Sequence, residues 1–318
     1  MSILLLTEHE VKGLLTMEMA LEAVEAGLRK IGLDEAQNIP RSRCQTDHAM
    51  LHMMSAAAKT LGVMGYKAYT TSKKGGHFHV GLCDGKSGEL TALVQADWLG
   101  QVRTGAASGV ATKVLARPEA CEVGLYGTGK QARTQLMAVC KVRAVKRIQV
   151  FGRNEENRKQ FCTEMSAVCQ VSVEPVADPQ DAARAKDIVI TATTSREPVL
   201  KGEWLSEGTH VNAIGSNFIS KAELDLAAIR RCHPIVVDSK EQAHLEAGDF
   251  HQAIGSGTLH WKNVVELGSV LSGRAVGRTS PLEISLFKSL GIAIEDIATV
   301  AKVVAKAKEA GVGRMVDW

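Results

Sequence analysis

The chain is poor in aromatic residues, 4% of its 318 positions, and its formal net charge is only +3. It has no basic block and no basic stripe interleaved with aromatics, so nothing argues for nucleic acid or an anionic membrane surface as partner. Seven cysteines are scattered without a C-x-x-C pair, which leaves no ligand set for structural zinc and fits a reducing compartment. The apolar run Ile3–Leu6 is too short for a signal peptide and lacks a basic flank, and no run approaches a membrane span. The expected location is therefore cytoplasmic. The remainder, 45% hydrophobic and 23% charged, is ordinary for a globular chain long enough for two domains.

What the chain does contain is a strand–turn–helix signature over Cys121–Ala132, C-E-V-G-L-Y-G-T-G-K-Q-A. Glu122 to Tyr126 reads as a strand, and Gly127, Gly129 and Ala132 form the G-x-G-x-x-A version of the dinucleotide fingerprint. Gly127 permits a tight turn, Gly129 lets a pyrophosphate approach the backbone, and Ala132 lets the helix pack closely on the strand. The first helical N–H groups face the phosphates, so Thr128, Lys130 and Gln131 join the glycines as expected cofactor contacts. A second strand, Arg147–Phe151, ends in Gly152-Arg153-Asn154. NAD enzymes place an acid there for the ribose 2′-hydroxyl. Arg153, with Asn154 beside it and Arg158 in the following helix, instead suits a 2′-phosphate. NADPH is the expected cofactor, with NADH as the alternative; the competing reading of Arg153 is a solvated surface charge.

The N-terminal part is strand-rich. A strand at Ile3–Leu6 precedes helices capped by Thr7 and Thr16, and Asn38-Ile39-Pro40 breaks the pattern. An alternating stretch ends at Ala56, Gly62–Thr71 is a strand, Lys73–His79 a loop, and Val80–Cys83 with Glu89–Gln95 a hairpin. Asp97 begins a turn leading to Val102-Arg103-Thr104, followed by a helix of small residues from Ala106 to Leu115. Beyond Cys121 the rhythm is βαβ, with strands at Glu122–Tyr126, Arg147–Phe151, Val171–Pro175, Ile188–Ala192, His210–Ile214 and Pro234–Val237. Thr193 and Thr194 close the fourth, at the ligand-binding edge of such sheets. Ser280–Glu283 reads as a helix start, with a short strand at Ile284 as the alternative, and Ile292–Ala310 is helical. The expected class is α/β: a Rossmann-type doubly wound parallel sheet over 119–282, plus a strand-rich α+β domain from 1–118 and 283–318.

With these residues in order, the chain resembles the ornithine cyclodeaminase/mu-crystallin family. The segments that carry the resemblance are Pro40-Arg41, Met54-Ser55-Ala56, Lys67, Val102-Arg103-Thr104-Gly105-Ala106, the Gly127 fingerprint, Val211–Gly215, Val237-Asp238-Ser239, Ala247-Gly248-Asp249 and Phe287–Gly291. The resemblance implies a homodimer paired through the sheets of the strand-rich domain. It also implies a substrate pocket between that domain and the nicotinamide, and adds Ile214, Ser289 and Leu290 to the cofactor contacts.

The family's substrates share a carbon bearing nitrogen next to a carboxylate. Arg41 and Arg103 match its carboxylate-binding arginines, with Arg43 competing for Arg41's role, and Lys67 matches its active-site lysine. Thr104, His52 and Asn217 complete the expected substrate contacts. Asn217 stands where cyclodeaminases carry an acid, which weakens ammonia elimination and favours hydride transfer to a preformed C=N bond. The expected activity is therefore NADPH-dependent reduction of Δ1-pyrroline-2-carboxylate or Δ1-piperideine-2-carboxylate. The alternatives are ornithine cyclodeaminase, an alanine or other amino-acid dehydrogenase, and a mu-crystallin-like binding protein. His77-Phe78-His79 lacks the partners of a metal site and reads as a loop near the pocket mouth; no metal is expected.

Overall fold

In the computed structural model, which describes residues 2–317, the chain divides into two compact units, Met1–Thr104 with Gly291–Trp318, and Gly105–Leu290. The expected divisions at 118/119 and 282/283 differ from these at both ends.

The first unit is built on a sheet of β1 (Ser2–Leu6), β2 (Ala36–Gln45), β3 (Ala49–Ala58), β4 (Val63–Ser72), β5 (Gly75–Asp84), β6 (Leu90–Gln95) and the C-terminal strand Arg314–Asp317. Strands β2 to β6 form an antiparallel meander. β1 lies parallel to β6 and pairs on its other side with Arg314–Asp317. Thr7 caps α1 (Glu8–Leu14) in a capping box, and Thr16 caps α2 (Met17–Gly32). The C-terminal helix, Ala293–Ala310, presents Ile297, Val300 and Val304 as buried residues and packs on α2 and β2–β5. A Cβ at Gly27 of α2 would lie 3.2 Å from that of Ala298, which shows how closely the two helices approach.

Asn38-Ile39-Pro40 lies beyond the helical pattern, as expected, since α2 ends at Gly32, but Pro40 does not interrupt a strand, because β2 is the edge strand and its register slips between Ile39 and Ser42. Edge strands with a bulge tolerate a missing N–H. Nor is Lys73–His79 a loop: β5 starts at Gly75, and His77, Phe78 and His79 pair with Thr70, Tyr69 and Ala68 of β4.

The second unit carries a wholly parallel sheet of β7 (Glu122–Tyr126), β8 (Arg147–Phe151), β9 (Ser172–Pro175), β10 (Ile188–Thr191), β11 (His210–Ala213), β12 (Cys232–Val237), β13 (Val264–Glu266) and β14 (Ile284–Lys288). The strand order is β13-β12-β14-β11-β10-β7-β8-β9. This is the Rossmann-type doubly wound arrangement expected. Successive strand residues alternate between the two faces, Val189 in one apolar core and Ile188 and Ile190 in the other. β14, left open between helix and strand, inserts between β11 and β12, which places the unit boundary beyond it.

α3 (Asp97–Leu115) begins earlier than expected: the anticipated turn at Asp97 is the helix's first residue. Glu8 explains the start, since its carboxylate accepts the Asp97 and Trp98 N–H groups at 3.1 and 2.6 Å. Arg103 and Thr104 are thus helical residues with fixed directions.

Candidate active site

Three buried cations gather in the first unit. Arg41 on β2 donates from Nη2 to the Gly291 carbonyl at 2.8 Å. A Cβ on Gly291, whose φ is +74°, would sit 2.6 Å from Arg103 Nη1, so Gly291 separates the two guanidiniums without a side chain. Lys67 on β4 donates to Asp296 Oδ1 at 2.7 Å. Arg103 donates from Nε to the same oxygen at 3.0 Å and from Nη1 to Glu295 Oε2 at 2.5 Å. Glu295 and Asp296 have no solvent exposure. They lie in the first turn of the C-terminal helix, where the macrodipole favours acids.

Burial pushes the Lys67 ammonium down to about 8; Asp296 opposes the shift, while Arg103 and Arg41 add to it. Burial also works against the charge of Arg103, but Asp296 and Glu295 outweigh it and hold the guanidinium protonated. His52 on β3 stacks on Tyr69 with centroids 4.2 Å apart, and Tyr69 stacks in turn on Phe78. Its Nδ1 accepts from Arg43 Nε at 3.2 Å, which leaves Nε2 to donate to Thr71 Oγ1 at 3.0 Å. Burial, then Arg43 and Arg41, bring its pKa down to about 4, so it is neutral at ordinary pH. Arg41 is buried and meets Gly291, whereas Arg43 is spent on His52. Thr104 donates to the Gly100 carbonyl at 2.7 Å.

The second unit holds a cavity of about 290 Å³ at the carboxyl ends of β7, β8 and β10. This is where the strand order reverses, the ligand-binding point of such sheets. Gly127, Thr128 and Gly129 line one side, Arg153 and Asn154 another, Thr193 and Thr194 a third. Gly127 has φ +107°, and a Cβ there would collide with the Ala192 carbonyl. Gly129 meets nothing within 4 Å, and no side chain caps α4 (Lys130–Val142) behind it. Open space before uncapped helical N–H groups fits a pyrophosphate.

Not every expected residue faces this cavity. Arg158 is buried and donates from Nη1 to the Gly152 carbonyl at 2.6 Å, bracing the turn. Asn154 lines the cavity, but its side-chain oxygen is engaged in capping α5 (Glu155–Cys169), accepting from Asn157 N. Lys130 is exposed, and Gln131 and Ile214 are half-buried. Ser289 and Leu290 donate to Asp238 Oδ2 at 3.3 and 2.6 Å. Asn217 is a half-buried residue beyond β11, in the second unit. Sequence reasoning missed Glu295 and Asp296, whose position in a helix's first turn reads as ordinary dipole compensation.

A family model described as the ornithine cyclodeaminase/mu-crystallin family matches residues 1–311. The chain belongs to this family. Among family members, the Δ1-pyrroline-2-carboxylate reductase of Bacillus cereus is 31% identical over 325 residues, covering 99% of this chain and 100% of that protein. The Thermococcus litoralis Δ1-pyrroline-2-carboxylate reductase, solved with NADH and L-proline, superposes with a TM-score of 0.94 at 35% identity, covering 98% and 99% of the two chains. An archaeal alanine dehydrogenase dimer with bound NAD gives a TM-score of 0.94 at 32% identity over the whole of both chains. The protein is thus an oxidoreductase of the ornithine cyclodeaminase/mu-crystallin family. Among the described residues, no helix is long and apolar enough to cross a membrane.

Proposed function

We propose that the protein reduces cyclic ketimine carboxylates, Δ1-pyrroline-2-carboxylate to L-proline and Δ1-piperideine-2-carboxylate to L-pipecolate, with NADPH preferred over NADH. The observation that carries this reading is the gathering of three buried cations, Arg41, Lys67 and Arg103, in the first unit, a setting that suits a substrate carboxylate. The Bacillus and Thermococcus reductases support the substrate class. In this reading the first unit binds substrate, the second binds the dinucleotide, and the assembly is a homodimer like the archaeal dehydrogenase.

Arg41 and Arg103 hold the carboxylate through charge-assisted hydrogen bonds. Burial brings Lys67 down to about 8, so it can hold a proton on Nζ as the substrate arrives and release it to the imine nitrogen. His52, held neutral, fixes Tyr69 beside Lys67, whose Nζ is 5.7 Å from the ring centroid. Gly127, Gly129 and the first N–H groups of α4 would hold the pyrophosphate, Arg153 the 2′-phosphate, and Thr193 and Thr194 the inner end of the cavity. The bound nicotinamide supplies the hydride. Asn217 offers no carboxylate to assist ammonia loss, which is why reduction is favoured over cyclodeamination.

The test is oxidation of NADPH and NADH with each imine, in wild type and Arg103→Ala. Rapid oxidation that favours NADPH and collapses in the variant is expected. Ammonia release from L-ornithine without imine reduction would overturn the proposal.

A further inference from the structure

Beneath the dinucleotide cavity lies a fully buried carboxylate that the mechanism above does not use. Glu223 Oε1 accepts from Thr193 N and Thr193 Oγ1, both at 2.7 Å. Its Oε2 accepts from Thr191 Oγ1 at 2.8 Å and Gly215 N at 2.7 Å. Thr191 ends β10, Thr193 lines the cavity and Gly215 follows β11, so one carboxylate joins the exits of two neighbouring strands. Gly215 comes so close that a Cβ there would collide with Glu223 Oε1. The carboxylate is itself held from behind. Asp249 Oδ1 accepts from Glu223 N at 2.6 Å, and Asp249 Oδ2 pairs with Lys288 Nζ at 2.8 Å. Lys288, the last residue of β14, donates also to the Ser216 carbonyl at 2.7 Å.

Such a network is an expensive way to fill space. Buried ion pairs often add nothing to stability over apolar residues of the same volume, and their attested use is to specify one conformation. Here the conformation specified is that of the two strand exits beside the cavity.

We infer that Glu223 is a positioning residue for the dinucleotide: by clamping Thr193 and Gly215 it holds the cavity wall in its binding geometry and thereby sets cofactor affinity. The inference rests on the reading of this cavity as the dinucleotide site.

Two variants test it, Glu223→Gln and Thr191→Val. The second removes one hydrogen bond at a fully buried residue that does not line the cavity. Tryptophan fluorescence gives the Kd for NADPH and NADH, calorimetry gives the Tm of the cofactor-free protein, and steady-state rates give the imine KM at saturating cofactor. Cofactor Kd should rise about tenfold or more in Glu223→Gln, the loss of a hydrogen bond to a charged group, and by less in Thr191→Val. The imine KM should hold. A merely structural carboxylate would lower Tm and leave Kd unchanged in both variants, and that result overturns the inference. If Glu223→Gln does not fold, Thr191→Val decides alone. Wild-type protein that binds neither dinucleotide would instead overturn the underlying reading of the cavity.

Discussion

Lys67 and Arg103 donate to one and the same oxygen, Asp296 Oδ1, at 2.7 and 3.0 Å. Two cations from a strand and a helix far apart in sequence are thus set by a single buried atom. Asp296→Asn should leave both without their shared charge. Removing one partner of a buried pair costs about 3–5 kcal/mol, so a clear fall in Tm is expected.

The same substitution should move a pH profile. Lys67 titrates at about 8, so the affinity for the imino carboxylate should weaken as pH rises through that value and the ammonium is lost. Asp296 is the group that opposes the downward shift. Without it the weakening should set in at lower pH. A profile of imine KM against pH in wild type and Asp296→Asn checks both; an unmoved profile would show that Lys67 does not contact substrate.

The two fingerprint glycines should fail differently. Gly127→Ala places a Cβ against the Ala192 carbonyl at a φ of +107°, so it should destabilise the fold by about 1–3 kcal/mol. Gly129→Ala meets no protein atom within 4 Å, so its Tm should match wild type while dinucleotide binding is lost. Thermal melts beside cofactor titrations separate the cases.

Arg153 is exposed at the cavity rim, with no acid between it and the helix-borne Glu155, which pairs with Lys159 at 2.6 Å. Arg153→Ser should raise the KM for NADPH by about ten- to a hundredfold and leave NADH nearly unaffected. Equal effects on both dinucleotides would assign Arg153 to the surface.

His52 should make the protein acid-sensitive. Its pKa is about 4 in the fold against 6.5 for the free side chain, so the unfolded chain binds the extra proton first. Stability should therefore fall as pH drops from about 6.5 to 4, with no contribution from this residue above that window. His52→Phe, which keeps the stack on Tyr69, should flatten that part of the Tm–pH curve.

Much of the second unit was legible because each parallel strand is a short apolar run with turn chemistry at its end. Glu122–Tyr126 and Arg147–Phe151 match the structure at both bounds. The errors sit where tertiary context outweighs a local signal. Lys73–His79 reads as a loop until β4 is known to pair with it from Gly75 onward. Ile284 is ambiguous until two neighbouring strands supply its partners. At the site, Arg41, Lys67 and Arg103 read as surface charges on their own, and it was the family resemblance that singled them out. Their counter-ions had no such signal: Glu295 and Asp296 look like ordinary acids of a helix's first turn, and only the fold shows them to be wholly enclosed.

The first unit is assembled from the two ends of the chain, and the second lies between them. On the ribosome, Lys67 and Arg103 emerge before the second unit, while the helix bearing Glu295 and Asp296 emerges after it. The nascent chain must therefore carry those cations in water through the synthesis of the whole second unit. Lys67 and Arg103 can meet Asp296 and Glu295 only once that helix has docked. The buried charge cluster of the first unit can thus close only after the sequence of the second unit has been made.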